Sequence, residues 1–239
     1  MVVSYLGVLS MKKTSILLLL VFLRISAFPQ VQTGLKFGYI LLKCFDQSIN
    51  GPNEYTNPHP SYFISFMLRG RNPGWFNMGG ELEYAHRFFH VNSTSGGVSG
   101  QTFESYDLSA DYIRVLIQPQ FTFGTGIRFF IYPGFYGGYI FHSTIHGTSE
   151  YQGSGYPEPK KYIDGSASDY IHGWEFGILI GLGIDIPLYK GLTLVLENTE
   201  TLTIPGINPN WGARTTLRIL EIRFSAGIAY TFPAKKIPK

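Results

Sequence analysis

From Trp174 to Leu188 every even-numbered residue is bulky and apolar: Trp174, Phe176, Ile178, Ile180, Leu182, Ile184, Ile186 and Leu188. The odd positions carry Glu175, Gly177, Gly181, Gly183, Asp185 and Pro187, with Leu179 as the exception. A helix repeats every 3.6 residues and would mix these sets; a strand repeats every two and sorts them onto opposite faces. This segment therefore reads as a β-strand with one uniformly apolar face.

The same sorting recurs along the chain. At the C-terminal end Ile222, Phe224, Ala226, Ile228, Tyr230 and Phe232 alternate with Glu221, Arg223, Ser225, Gly227, Ala229 and Thr231. Near the N-terminal end Leu35, Phe37, Tyr39 and Leu41 alternate with Gly34, Lys36 and Gly38. Met78, Leu82, Tyr84 and Phe88 oppose Glu81, Glu83 and Arg87, and residues 128–145 place Tyr132, Gly134, Tyr136 and Gly138 on one face. Residues 61–70 and 192–202 show weaker alternation, and 106–124 changes phase near Tyr112, which predicts a bulge there. The chain thus predicts eight strands, at about 32–44, 61–70, 76–91, 106–124, 128–145, 172–188, 192–202 and 214–232.

Long connections (45–60, 92–105, 146–171 and 203–213) alternate with short ones (71–75, 125–127 and 189–191). An even number of strands puts both termini on one side, and all the short turns then share it. Outer-membrane barrels have this asymmetry, with short periplasmic turns and longer external loops.

Only 15% of the residues are charged, against about a quarter in soluble domains, and 16% are aromatic. The formal charge of +3 arises in residues 1–27, which hold Lys12, Lys13 and Arg24 and no acid. Without them 19 − 3 = 16 bases face 16 acids, which argues against a nucleic-acid surface. The single cysteine, Cys44, forms neither an intramolecular disulfide nor a cysteine-rich zinc site. Met11-Lys12-Lys13 followed by the apolar run 16–23 reads as a signal peptide ending near Ala27, with Met11 a possible true start. The alternative of an uncleaved anchor suits so short a run less well. The expected organisation is a signal peptide, 1–27, and one barrel domain, 28–239.

A soluble lipocalin-like barrel would turn the same stripes the other way. The polar stripe argues against it, being rich in Gly, Ser and Tyr and poor in the Lys and Glu of a water-facing surface. Aromatics also cluster near strand ends on the apolar stripe, as at a bilayer interface. Tyr62, Phe88, Tyr106, Phe141 and Trp174 are expected in an outer girdle. Phe76, Phe121, Phe123, Phe129, Tyr230 and Phe232 are expected in a periplasmic one. Lipid offers no hydrogen-bond partner to an open sheet edge, so the barrel must close. The predicted fold is all-β: an eight-stranded antiparallel up-and-down transmembrane β-barrel.

Segments 111–124 (DYIRVLIQPQFTFG) and 127–139 (IRFFIYPGFYGGY) resemble the central hairpin of the PorT-like outer-membrane β-barrel proteins of Bacteroidetes. Segments 34–39 (GLKFGY) and 227–232 (GIAYTF) resemble that group too. The likeness departs from the family at Arg114, where an acid is more usual, and in the tail 233–239. It implies an outer-membrane barrel without catalytic residues, and some relatives are linked to gliding-type protein secretion.

Lys36, Arg69, Arg87, Arg114 and Arg223 share the polar stripe with Glu81, Glu83, Asp185, Glu197 and Glu221. An eight-stranded interior is just wide enough to be filled by side chains. Charges there must be paired, so these ten are expected to form a structural network in the lumen. Asp107, Asp111, Arg128 and Glu175 fall nearer strand ends or the bulge. A lipid-modifying barrel enzyme would need a His, a Ser and an orienting acid at the outer rim. His86 and His90 share the apolar face and His142-Ser143-Thr144 ends a strand, but the sequence places no acid to orient either histidine. Lys160 and Lys161 read as a solvated basic spot in the longest loop.

No catalytic, cofactor-binding or metal-binding residues are expected, and no cofactor. The expected role is non-enzymatic: a structural or interaction protein of the bacterial outer membrane with periplasmic termini. The expected partners are outer-membrane lipid, the barrel-assembly machinery and a protein bound through loops 45–60 and 146–171, with no nucleic acid. The alternatives are a lipid-modifying enzyme and an accessory of transport or protein secretion. Serine at Gly177 or Gly183 is expected to be better tolerated than a polar residue at Ile178, Ile180 or Leu182.

Overall fold

The computed structural model describes residues 30–45, 54–56, 61–72, 74–97, 100–153, 160–167, 173–204 and 218–233. The expected signal peptide, the tail beyond 233 and much of loops 45–60 and 203–213 lie outside the described residues. The strands are β1 (Gln30–Phe45), β2 (Glu54–Thr56), β3 (Ser61–Arg71), β4 (Phe76–Gly97), β5 (Gly100–Phe123), β6 (Arg128–Gly153), β7 (Lys161–Ser166), β8 (Gly173–Pro187), β9 (Leu192–Thr203) and β10 (Arg218–Phe232).

Eight of them close a ring in which each pairs antiparallel with its neighbours: β1, β3, β4, β5, β6, β8, β9, β10 and back to β1. The ladder gives the geometry of closure. From Thr33 it passes through Leu68, Gly80, Ile117, Phe135, Ile178, Leu202 and Leu220 and returns to β1 at Lys43. The offset is 43 − 33 = 10 residues. Ten residues at about 3.3 Å, set against eight strands about 4.8 Å apart, imply a strand tilt of about 41°. That falls within the range found for closed barrels.

Alternation fixes which face looks inward. Along β8 the burial alternates strictly, with Glu175, Gly177, Leu179, Gly181, Gly183 and Asp185 inside. Trp174, Phe176, Ile178, Ile180 and Leu182 face out, as do Leu35, Phe37, Phe66, Leu82, Phe135 and Phe224 on other strands. This outer belt of large apolar side chains suits acyl chains; in water it would be an apolar patch of unusual size.

The short connections are hairpin turns. At Tyr189–Leu192 the amide of Leu192 donates to the carbonyl of Tyr189 (2.9 Å). The central residues Lys190 (φ 42°) and Gly191 (φ 86°) are both left-handed, the geometry that matches strand twist.

Several sequence expectations need correction. The connection 92–105 is not a loop over most of its length: β4 and β5 pair continuously up to Gly97 and Gly100. Residues 146–171 likewise contain the end of β6 and all of β7, which pairs with β6. Loops 45–60 and 146–171 are therefore partly sheet, an extension rising above the long-connection end of the ring. Gly, Ser and Thr are frequent in these segments, but the pairing continues through them.

The bulge lies in β6 rather than β5. Asp111 pairs with His142 and Tyr112 with Ile140, leaving Phe141 as the extra residue, while β5 keeps its phase. Tyr106 is not in the outer girdle: it lies on the inward-facing side of β5 and packs against an interior apolar cluster. Finally, the glycines of β8 are not spare room. A Cβ at Gly177 would lie 2.2 Å from the Tyr136 ring, and one at Gly183 would lie 2.4 Å from the Phe130 ring. Serine there collides with aromatic rings on the adjacent strand.

Candidate functional site

The lumen is a stack of layers. Nearest the short turns, Lys36 on β1 donates to Glu81 on β4 (2.6 Å) and to Glu197 on β9 (3.0 Å). Arg69 on β3 reaches Glu197 (2.9 Å) and Asp185 on β8 (3.4 Å), and Arg71 also pairs with Asp185. The Tyr132 hydroxyl bonds to Glu197 and lies 2.6 Å from that of Thr199. Three cations thus face three carboxylates.

Further from the short turns a second cluster centres on Arg114 of β5. Its guanidinium donates to Glu83 (Nε, 2.9 Å) and to Glu221 (Nη1 and Nη2, 3.0 Å each). Arg87 holds Glu175 in a two-pronged contact (2.5 and 2.8 Å) and also pairs with Glu221. Arg223 pairs with Glu83. Again three cations meet three carboxylates. Aromatic faces complete the solvation of the guanidiniums: Arg87 lies 4.2 Å from the Tyr112 ring centre, Arg114 lies 4.9 Å from Tyr136, and Arg223 lies 3.9 Å from Phe63.

The ten charges picked out from the sequence all lie buried in these two clusters. Arg71 and Glu175 join them, one of each sign. Glu175 shares the polar stripe of 174–188 and Arg71 keeps the phase of Arg69 at the end of β3, and their ion pairs show both reaching inward. Arg128 is not part of either network.

Above the second cluster the lumen turns apolar. Ile40, Phe63, Ala85, Leu108, Ala110, Tyr112, Ile140, Ile145 and Ala167 form one cluster, with Leu42, Tyr106 and Ile163 packed against it. A second group, including Met67, Leu116, Phe130, Tyr132, Tyr136 and Leu179, fills space lower down. Not every polar group is matched: the amides of Gln32 and Gln118 are buried with no protein partner.

The outward-facing side toward the long connections, from the level of Tyr62 upward, is different. His86 Nδ1 lies 2.7 Å from Asp111 Oδ1, and His90 Nδ1 lies 2.6 Å from Asp107 Oδ1. The sequence placed no acid beside either histidine; the β4–β5 register sets each pair directly across the ladder. His146 and Asp164 repeat the arrangement between β6 and β7 (2.6 Å). His86 also stacks on Tyr62 (5.2 Å between ring centres). His142 points outward and Ser143 inward, so these two do not meet. Among the described residues no group of three or more His, Cys, Asp or Glu is placed to hold a metal ion.

Residues 28–203 match the family model for the outer membrane protein β-barrel domain. None of the curated proteins matches the chain. Among solved structures it is similar to the outer membrane protein OprG from Pseudomonas aeruginosa (10% identity, TM-score 0.46, covering 86% of this chain and 96% of that one). It is also similar to a major outer membrane protein from Thermus thermophilus (9% identity, TM-score 0.42, 84% and 99%). A third is Ail, the attachment invasion locus protein of Yersinia pestis (11% identity, TM-score 0.39, 84% and 99%). Likenesses this distant say nothing about role.

Proposed function

This chain belongs to the outer-membrane protein β-barrel domain family, and on that premise we propose that it is a plugged barrel that acts outside the membrane. The reading is a structural or interaction role for the barrel, carried by the sheet extension and the connections above it, with both termini in the periplasm. One observation carries it: two charge-balanced clusters and an apolar layer fill the lumen, while β4, β5 and β6 continue beyond the ring. A filled interior of this size leaves the outer surface and the extension as the places to meet a partner. Separating the paired charges to open a path would leave them unpaired in a closed interior, at several kcal/mol per ion.

A transport role needs such a path, and the lumen supports it poorly. The PorT-like segments favour a narrower affiliation with secretion-linked barrels, which gene neighbourhood tests independently.

Planar-bilayer recording of the purified protein tests the plug: little or no steady conductance is expected, and large stable porin-like channels refute it. Trypsin on intact cells tests the orientation. Cleavage is expected at Lys160, on the extension, and protection at Lys190, in a short turn; the reverse inverts the topology.

A further inference from the structure

The His90–Asp107 pair has a third member. Ser105 precedes Asp107 by two residues on β5, so both project from the same face. Its Oγ lies 3.4 Å from His90 Nε2, while Asp107 Oδ1 lies 2.6 Å from His90 Nδ1. The carboxylate and the hydroxyl thus occupy opposite nitrogens of one imidazole, the order that activates a serine. All three side chains are partly exposed. Tyr62 in the outer girdle pairs with His86, and His90 lies four residues further along β4, about 10 Å higher once the strand tilt is allowed for. The trio therefore sits in water, beyond the acyl region. A neighbouring hydroxyl gives the contrast: Ser109, on the same face of β5, is turned to Thr144 (2.7 Å).

We propose that Ser105, His90 and Asp107 form a serine nucleophile site that cleaves carboxylic esters reaching the outer surface. Ser105 Oγ attacks the ester carbonyl carbon as its proton passes to His90 Nε2. The C–O bond of the tetrahedral intermediate then breaks, and the departing alcohol takes that proton. Water loses a proton to the same nitrogen and attacks the acyl group. The freed Ser105 Oγ recovers the proton, and the net change is ester plus water to carboxylic acid plus alcohol. Asp107 is the positioning residue, holding the imidazole with Nε2 toward the serine. Thr148, directly opposite Ser105 in the β5–β6 register, is the hydroxyl within cross-strand reach of the developing oxyanion. The long Ser–His separation is common in triads without substrate.

This goes beyond the plugged-barrel reading; it rests on the orientation given there but not on the plug, because the lumen takes no part. The experiment uses the full chain folded in lipid vesicles, with folding verified by a mobility shift on boiling. A fluorophosphonate probe, followed by peptide mass analysis, is expected to modify Ser105. Ser105→Ala and His90→Gln should abolish the label, and Ser109→Ala should leave it unchanged. Asp107→Asn should slow labelling at least about tenfold without changing the probe concentration at half-maximal rate, which a merely structural role would not single out. Hydrolysis of p-nitrophenyl butyrate should fall in the same order. Folded wild-type protein with no adduct on Ser105, or with hydrolysis equal to that of Ser105→Ala, overturns the proposal. Either result leaves the conductance and trypsin tests of the barrel untouched.

Discussion

Arg114→Met is the most informative single change. The side chains are of similar length, so the void is small, and the main loss is the charge. Arg114 is almost wholly buried and contacts Glu83 and Glu221 at 2.8–3.0 Å. Removing it leaves Arg87 and Arg223 against Glu83, Glu175 and Glu221, one uncompensated negative charge in a closed interior. Breaking a buried pair from one side costs about 3–5 kcal/mol. With an m-value of about 2 kcal/mol/M in urea, a 4 kcal/mol loss lowers the unfolding midpoint by about 2 M. Tryptophan fluorescence in lipid vesicles reads this out, since Trp75 and Trp174 both lie on the outer surface. The sign of the charge argument is tested by a second variant. Arg114→Met with Glu83→Gln restores two cations against two carboxylates, and should regain about half of the loss although it removes a further ion pair. If Arg114→Met falls within about 1 kcal/mol of wild type, water reaches the cluster and the plug is not closed. If the double variant is less stable than the single one, the loss comes from packing and the reasoning from charge balance fails.

Three further outcomes are expected. Ile178→Arg, on the outer face near the middle of β8 and flanked across the sheet by Phe135 and Leu202, should cost about 2–4 kcal/mol in lipid vesicles, whereas Ile178→Leu should be close to neutral; equal tolerance of both would mean that this face meets water. Gly181→Ala puts a Cβ 2.2 Å from the Tyr132 ring and should lose about 1–3 kcal/mol by urea titration, while Gly126→Ala, with nothing within 4 Å, should change little. Tyr106→Ser should loosen the apolar layer and increase hydrogen exchange at Leu108 and Ile145 more than at Leu196, on the far side of the ring.

The strands were legible because lipid and lumen impose opposite demands on alternate residues, and a period of two survives any uncertainty about where a strand ends. Inner charges such as Glu81, Glu83 and Arg223 were legible for the same reason: they fall in phase with the small and polar residues that alternate with the apolar stripe. What could not be read depends on register. Whether His90 meets an acid is decided by which residue of β5 lies opposite, and one strand's sequence does not contain that information. The bulge shows the same limit. A break near Tyr112 was visible, yet the extra residue, Phe141, belongs to the partner strand. The extension went unread because residues 92–105 carry turn-forming types, while the continuous β4–β5 pairing that spans them is set by the hairpin as a whole.

Register also explains why glycine on β8 was misread as permissive. Gly177, Gly181 and Gly183 stand directly opposite Tyr136, Tyr132 and Phe130 on β6. Each ring lies flat across the site where a Cβ would project, so small residues on one strand make room for large ones on the next. The rings in turn form the floor for the charges. Arg69 rests over Phe130 at 4.7 Å and Arg114 over Tyr136 at 4.9 Å, and the Tyr132 hydroxyl bonds to Glu197. A methyl group added on β8 would therefore displace a ring, and the ring would displace a guanidinium from its carboxylates. The aromatic wall of β6 and the charged walls opposite are one packed unit. A substitution at Gly181 and one at Arg114 should accordingly show coupled rather than additive losses.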